Sequence, residues 1–394
     1  MCKPLNETRG RIASPFSYPD PPPISMKILL LSALALCLAT MSLSAQNPRP
    51  VRIVSPDIQA ERLVIFRLRA PKAAEVALQG QWNKERIPMT KDADGVWSAS
   101  VENTPAGIWE YSFTVDGLNV LDPSNPALKP QREPGKSILH IPSTPPAAWD
   151  WQDVPHGSVH IHDYQSKALD RQREVWIYTP PGYEGDGGKK YPLLVLQHGS
   201  GDNQQTWVQH GKAHWILDNL IAQKKAHPMI VLMLDGHPLG TPSREEPAKR
   251  GDAMEAFQRE LFEDALPLVE MLYRVESGPA HRAIAGLSMG GAQSLTVGLG
   301  NLDRFAWVGA FSAAPSSPEA TQKFLADPEG ANAKLRLLWI GVGKDDFLRQ
   351  RNDEFISALK EKGIHYEWNL SEGGHSWPVW REYLAEFAPL LFKE

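Results

Sequence analysis

The chain is poor in cysteine: of 394 residues only Cys2 and Cys37 carry a thiol. Both precede residue 46, so the rest must fold without a disulfide and depend on an apolar core. A basic block is missing as well. The 41 Lys and Arg residues are outnumbered by 46 Asp and Glu, giving a formal net charge of -5. That excludes the electrostatic footprint of a nucleic-acid-binding protein, and no nucleic acid is expected as a partner. No internal repeat is visible, and no clear membrane-spanning apolar run. The run Ile28 to Leu38 follows Met26-Lys27 and precedes Thr40-Met41-Ser42-Leu43-Ser44-Ala45. A basic start, a short apolar core and small residues are the pattern of a signal peptide, and the core is marginal for spanning a bilayer. The reading is an upstream extension over 1–25, a true start at Met26, and export with cleavage near residue 45. The mature protein is then secreted or periplasmic, with no membrane attachment. Leu36 ahead of Cys37 argues against a lipid anchor. Metal-ligating clusters are scarce too. His160-x-His162 has no carboxylate or cysteine companions, so no metal and no other cofactor is expected.

With 42% hydrophobic and 22% charged residues the composition is globular, and the length suffices for one large core and a smaller one. The most informative stretch is Gly286-Leu287-Ser288-Met289-Gly290. Arg282-Ala283-Ile284-Ala285 ahead of it reads as a short buried strand. Gly291 to Val297 behind it is small and apolar enough for a helix packed tightly on a sheet. A strand-to-helix turn this sharp strains the serine backbone and pushes the hydroxyl out at the sheet edge. Glycines two residues either side let the two arms approach.

A serine hydroxyl is a poor nucleophile until a base takes its proton, and the base needs an anion to fix its tautomer. Both partners follow in the chain order serine, acid, histidine of an alpha/beta-hydrolase. Leu335 to Gly343 reads as a buried strand leading to Lys344-Asp345-Asp346. Tyr366 to Leu370 alternates like a last strand before Ser371-Glu372-Gly373-Gly374-His375. The candidate triad is Ser288, Asp346 and His375, with Asp345 the weaker candidate for the acid. Tyr191 to Gln197 is another buried-strand pattern, ending in His198-Gly199-Ser200-Gly201. In this fold that loop and the residue after the nucleophile donate the oxyanion-binding amides, which nominates Ser200 and Met289. His198 and His237 read as loop histidines rather than catalysts. Ala253 to Tyr273 reads as an amphipathic helix kinked at Pro267.

From about Val159 onward the chain resembles the feruloyl esterase family, carbohydrate esterase family one, related to esterase D. The likeness rests on Arg173 to Tyr183, Leu196-Gln197-His198-Gly199 with Trp207 behind it, and Asp218 to Ala222. It continues in His281 to Gly291, Phe311-Ser312-Ala313-Ala314-Pro315 and Gly373-Gly374-His375. The family's Gly-x-x-Asp pattern falls on Asp346 when counted from Gly343. Ser200 stands where relatives often carry an apolar residue. The resemblance implies a serine esterase acting on hydroxycinnamoyl esters of plant polysaccharide or on small aromatic esters, with Trp207 and Trp377 contacting the phenolic ring. Acetyl-xylan and a siderophore trilactone are the rival substrates. A carbohydrate-binding protein with a vestigial hydrolase is the non-enzymatic rival.

Residues 50–142 read differently. Leu63 to Leu68, Ala74 to Gln79, Gly95 to Val101 and Ile108 to Val115 alternate as short strands, separated by turns such as Asp94-Gly95 and Asp116-Gly117. Short strands at this spacing indicate an immunoglobulin-like β-sandwich. Phe66 to Pro71, Gly80-Gln81-Trp82 and Tyr111 to Gly117 resemble the early-set, glycogen-binding-type module, which implies a possible glycan contact. Trp82, Trp97 and Trp109 read first as packing residues. A Pro/Trp linker over 143–151 leads to the α/β catalytic domain at 152–394. Because the triad and both amides belong to that domain, the chemistry is expected not to require residues 46–142, and the module is expected to prop up the catalytic domain or wall its pocket rather than to tether polysaccharide.

Overall fold

The computed structural model describes residues 52–240, 249–315 and 318–393. The signal-type segment, the candidate start Met26 and both cysteines lie outside them. Among the described residues nine strands precede residue 142: β1 (Asp57–Ile58), β2 (Val64–Arg69), β3 (Val76–Gly80), β4 (Ile87–Pro88), β5 (Thr90–Lys91), β6 (Val96–Val101), β7 (Gly107–Val115), β8 (Leu118–Val120) and β9 (Ser137–Ile141). One sheet runs β1-β2-β6-β5; the other runs β4-β3-β7-β8, with β9 also on β7. The β7–β8 hairpin turns on Asp116 and Gly117, both at positive φ, the backbone that a two-residue Asp-Gly loop favours. Alternation puts Val64, Phe66 and Leu68 of one sheet against Val76, Leu78, Tyr111 and Phe113 of the other. Trp97 is buried, and Trp82 stacks on Phe66 at 5.6 Å.

The second part is an eight-stranded sheet of β10 (Ser158–Ser166), β11 (Arg171–Thr179), β12 (Leu193–Gln197), β13 (Ile230–Leu234), β14 (Arg282–Leu287), β15 (Trp307–Phe311), β16 (Leu337–Gly343) and β17 (Glu367–Ser371). The order is β10-β11-β13-β12-β14-β15-β16-β17. Strand β11 runs antiparallel to both its neighbours, β10 and β13, and the six strands β12 to β17 run parallel to one another. Both faces are covered, so the inner strands are continuously apolar. Leu193, Val195, Ile284, Val308 and Ile340 face one core, with helices Met289–Gly300 and Arg349–Lys362. Leu194, Leu196, Ala285, Phe311 and Trp339 face the other, with Ala213–Ala222 and Trp377–Phe387.

The expected kink takes another form. Lys249–Glu260 and Leu266–Leu272 are joined by a π-helical turn, Leu261–Ala265. Pro267 lacks an N–H, and its ring would crowd the carbonyl four residues earlier. The wider turn just ahead of it absorbs that mismatch. His160 and His162 bond to Thr179 and Tyr273 respectively. The stretch after β9 is tied down: Asp150 accepts from the Ser143 and Ala147 amides, and Asn219 donates to Ala148 and Asp150 carbonyls.

Candidate active site

The loops at the carboxyl ends of β12, β13, β14, β15 and β16 converge on one cleft of about 1020 Å³, the edge where open α/β sheets place their ligands, and the loop after β17 brings His375 against Ser288. At its floor Ser288 links β14 to the helix Met289–Gly300 with φ 50° and ψ -115°. A non-glycine residue held there stores on the order of 1–3 kcal/mol of strain, and surrounding packing enforces it. A Cβ at Gly286 would stand 2.6 Å from the Gly290 backbone, and one at Gly290 would stand 2.7 Å from Gln197. Only glycine lets strand, turn and helix come this close.

The three triad candidates come together. His375 Nε2 lies 2.9 Å from Ser288 Oγ, and its Nδ1 lies 3.0 and 3.1 Å from the two oxygens of Asp346. Asp346 is buried and also accepts from the Leu348 amide at 2.8 Å. Burial would raise its pKa, but the hydrogen bonds from His375 and Leu348 outweigh this and hold it below the ordinary carboxylate value. Trp380 packs edge-on against His375, with ring centres 5.0 Å apart. Asp345 is exposed, and its amide donates to Gly373 O.

Ser200 and Met289 border the same cleft as Ser288. Met289 supplies the first amide of its helix, one of those with no acceptor inside the helix. Gly199 lies close enough that a Cβ there would be 3.6 Å from Ser288 Cβ. His198 is knitted into backbone: Nδ1 is 2.8 Å from Gly199 O, and Nε2 accepts from Gly236 N at 2.9 Å. His237 accepts from Gly201 N at 3.2 Å. Burial and neighbouring His198 lower its pKa to about 4, so at neutral pH the ring is uncharged and free to accept.

Comparison with known proteins adds the lineage. Residues 166–391 match the family model described as putative esterase, and residues 54–130 match carbohydrate-binding module 48, the isoamylase N-terminal domain. The chain belongs to the putative esterase family. It is feruloyl-esterase-like and carries a carbohydrate-binding module 48 ahead of the region that matches the esterase family. It is 30% identical over 345 residues to an endo-1,4-beta-xylanase/feruloyl esterase of Xylanibacter ruminicola, covering 86% of this chain and 46% of that protein. The chain thus spans about half or less of the length of three curated relatives that it matches. A solved ferulic acid esterase superposes with TM-score 0.52 at 27% identity, over 60% of this chain and 99% of its own. An enterobactin esterase from Shigella flexneri superposes with TM-score 0.61 at 20% identity, over 83% and 92%; at that identity the likeness concerns the fold alone.

One expectation for this site needs correcting. Trp207 and Trp377 are each 1% exposed and do not line the cleft. Their rings meet edge-on at 5.0 Å in the core under one face of the sheet, and Trp207 Nε1 donates to Gln197 O at 2.8 Å. The family resemblance implied a ligand contact for both; the start of each helix turns them inward instead. Among the described residues, Phe347 is the phenyl ring that lines the cleft, 73% exposed with its ring centre 4.4 Å from that of His375. Its signal in the sequence is its place directly after the candidate acid.

A second group of residues escaped sequence reading altogether. Between β8 and β9 the sandwich sends out Lys129-Pro130-Gln131-Arg132, which touches the loop after β12. Arg132 N donates to Gly201 O at 2.9 Å, Thr206 Oγ1 donates to Pro130 O at 2.8 Å, and Lys129 pairs with Asp202 at 3.5 Å. The guanidinium of Arg132 reaches Asp235 at 2.8 Å. Burial would raise the pKa of Asp235, but His198, Arg173 and Arg132 together hold it well below the carboxylate range.

Proposed function

We propose that this chain is a serine esterase that hydrolyses hydroxycinnamoyl esters of plant cell-wall polysaccharide through an acyl-enzyme. The reading is carried by Ser288, His375 and Asp346 standing in hydrogen-bonded series at the floor of an open cleft. Ser288 Oγ attacks the ester carbonyl carbon while its proton passes to His375 Nε2. The carbonyl oxygen takes up negative charge against the Ser200 and Met289 amides, and Asp346 stabilises the imidazolium. Collapse expels the alcohol, which takes the proton from His375. Water then attacks the acyl-enzyme by the same route in reverse, releasing the acid and free Ser288.

The aromatic acyl group is supported by Phe347, an exposed ring beside His375, and by the 30% identity to a xylanase/feruloyl esterase. The module at residues 54–130 supports contact with carbohydrate. Export is part of the proposal: the mature protein should begin near residue 46. The test compares turnover of methyl ferulate, acetylated xylan and a catecholate trilactone by the purified full-length protein. Methyl ferulate should be the best substrate, and Ser288→Ala should lower its kcat by about 10⁴-fold or more without loss of fold. Faster turnover of the trilactone would assign the protein to siderophore hydrolysis instead. Wild-type turnover by the alanine variant would remove the serine mechanism.

A further inference from the structure

The contacts between the sandwich and the loop after β12 form a closed ring. Arg132 N donates to Gly201 O at 2.9 Å, and Gly201 N donates to His237 Nε2 at 3.2 Å. His237 N donates to Asp235 Oδ1 at 3.1 Å, and Asp235 Oδ2 returns to Arg132 Nη1 at 2.8 Å. Both polar atoms of Gly201 are engaged, one by the sandwich and one by the loop after β13. Gly201 directly follows Ser200, one of the two amides assigned to the oxyanion. On the far side of that loop, Lys129 is paired with both Asp202 and Glu110 of β7, at 3.5 and 3.1 Å. Pro130 O receives the Thr206 hydroxyl. The loop is therefore anchored to another domain at Gly201, Asp202 and Thr206, while a Cβ at Gly199 would meet Leu287 at 2.6 Å.

We propose that Lys129–Arg132 of the N-terminal module is a positioning element for the oxyanion loop, with Arg132 its central residue. The proposal deepens the esterase reading above and rests on it. An amide stabilises a developing oxyanion only if it already points at the right place, because reorientation during the reaction would consume the gain. A Gly-Ser-Gly loop has little intrinsic stiffness, so its geometry has to be imposed from outside. Arg132 does this with two groups at once: its amide fixes the Gly201 carbonyl, and its guanidinium fixes the loop that holds the Gly201 amide. The module thereby contributes to the rate of hydrolysis even of a small soluble ester that makes no contact with it. On this proposal residues 46–142 do more than support the hydrolase: they act on the chemistry itself.

The test uses the full-length protein with Arg132→Ala, Arg132→Lys and Arg132→Pro. The first removes the guanidinium, the second keeps a cation, and the third deletes the amide hydrogen. On methyl ferulate, with active sites counted by an acyl-enzyme burst, Arg132→Ala should lower kcat about tenfold while KM changes by less than about twofold. Arg132→Lys should recover part of that loss, and Arg132→Pro should lose more than Arg132→Ala. Inhibition by a phenylboronic acid, whose tetrahedral adduct engages the oxyanion amides, should weaken in step with kcat. Binding of ferulate to the resting site should not change. Wild-type kcat per active site in both Arg132→Ala and Arg132→Pro would overturn the proposal. So would kcat, KM, ferulate affinity and melting temperature all declining together, since that describes general loosening. Ser288→Ala serves as the reference: if it stays active, the esterase reading fails; if it is inactive while Arg132 variants run at full speed, only the positioning role fails.

Discussion

Asp345 and Asp346 are adjacent in sequence and opposite in environment. The first is exposed at the loop surface, whereas the second is buried with both oxygens within 3.1 Å of His375 Nδ1. Replacing Asp346 by Asn keeps the shape but offers an amide donor to a ring nitrogen that must itself donate. The imidazole then turns to the wrong tautomer, or loses its orienting bond. Asp346→Asn should therefore lower kcat on the order of 10⁴-fold, and Asp345→Asn by less than about twofold, in steady-state assays on methyl ferulate. The reverse ranking would give the role to Asp345. A low pKa for Asp346 also bears on pH. The group contributes stability above the unfolded carboxylate value, and that contribution is lost as pH falls through the lower folded value. Much of this site was legible because it lies in short motifs behind buried strands. Phe347 and the buried pair Trp207 and Trp377 were not, because facing inward or outward at a helix start depends on tertiary packing.

At the scale of elements, the turn carrying Ser288 depends on glycine more than on any hydrogen bond. Gly290→Ala would drive a methyl group to 2.7 Å from Gln197, on a strand with no freedom to retreat. A loss of more than about 3 kcal/mol is expected from such overpacking against backbone. Gly300, at the far end of the same helix, has nothing within 4 Å of the corresponding position. Gly300→Ala should be neutral, or stabilise by up to about 1 kcal/mol. Urea unfolding of the two variants checks the contrast, and equal stability would mean the elbow is looser than its contacts imply. The strands were readable from their period: alternation for the sandwich, unbroken apolar runs for the parallel sheet. The π-helical turn before Pro267 left no such trace, since a helix that widens by one residue keeps nearly the same apolar face.

At the scale of the whole molecule, the sandwich and the hydrolase share a buried set of charges that neither sequence segment announces alone. Arg381, 1% exposed, donates to the carbonyls of His210 and Ile108. Glu110 of β7 lies 3.2 Å from His210 and 3.1 Å from Lys129. Pairing across some 100 to 270 residues has no local signature, so a Pro/Trp linker between two domains could be read from the sequence but these contacts between them could not. Its titration sets an acid limit. Burial, reinforced by Arg381, lowers the pKa of His210 from 6.5 to about 3. Burial would raise Glu110, but His210 and Lys129 bring it from 4.5 down to about 2. In both cases the unfolded chain takes up a proton at a pH where the folded chain does not. Stability therefore falls on acidification, first between about pH 6.5 and 3 through His210, then between about pH 4.5 and 2 through Glu110. His214 and His237, lowered to about 3 and about 4, act in the same direction. The melting temperature should thus decline from pH 7 to pH 5, before carboxylates titrate, and His210→Gln should flatten that decline while lowering stability at pH 7. A melting temperature constant from pH 7 to 5 in the unaltered protein would mean that these histidines take up protons in the folded state, and that the interface is wetter than the burial of His210 and Arg381 implies.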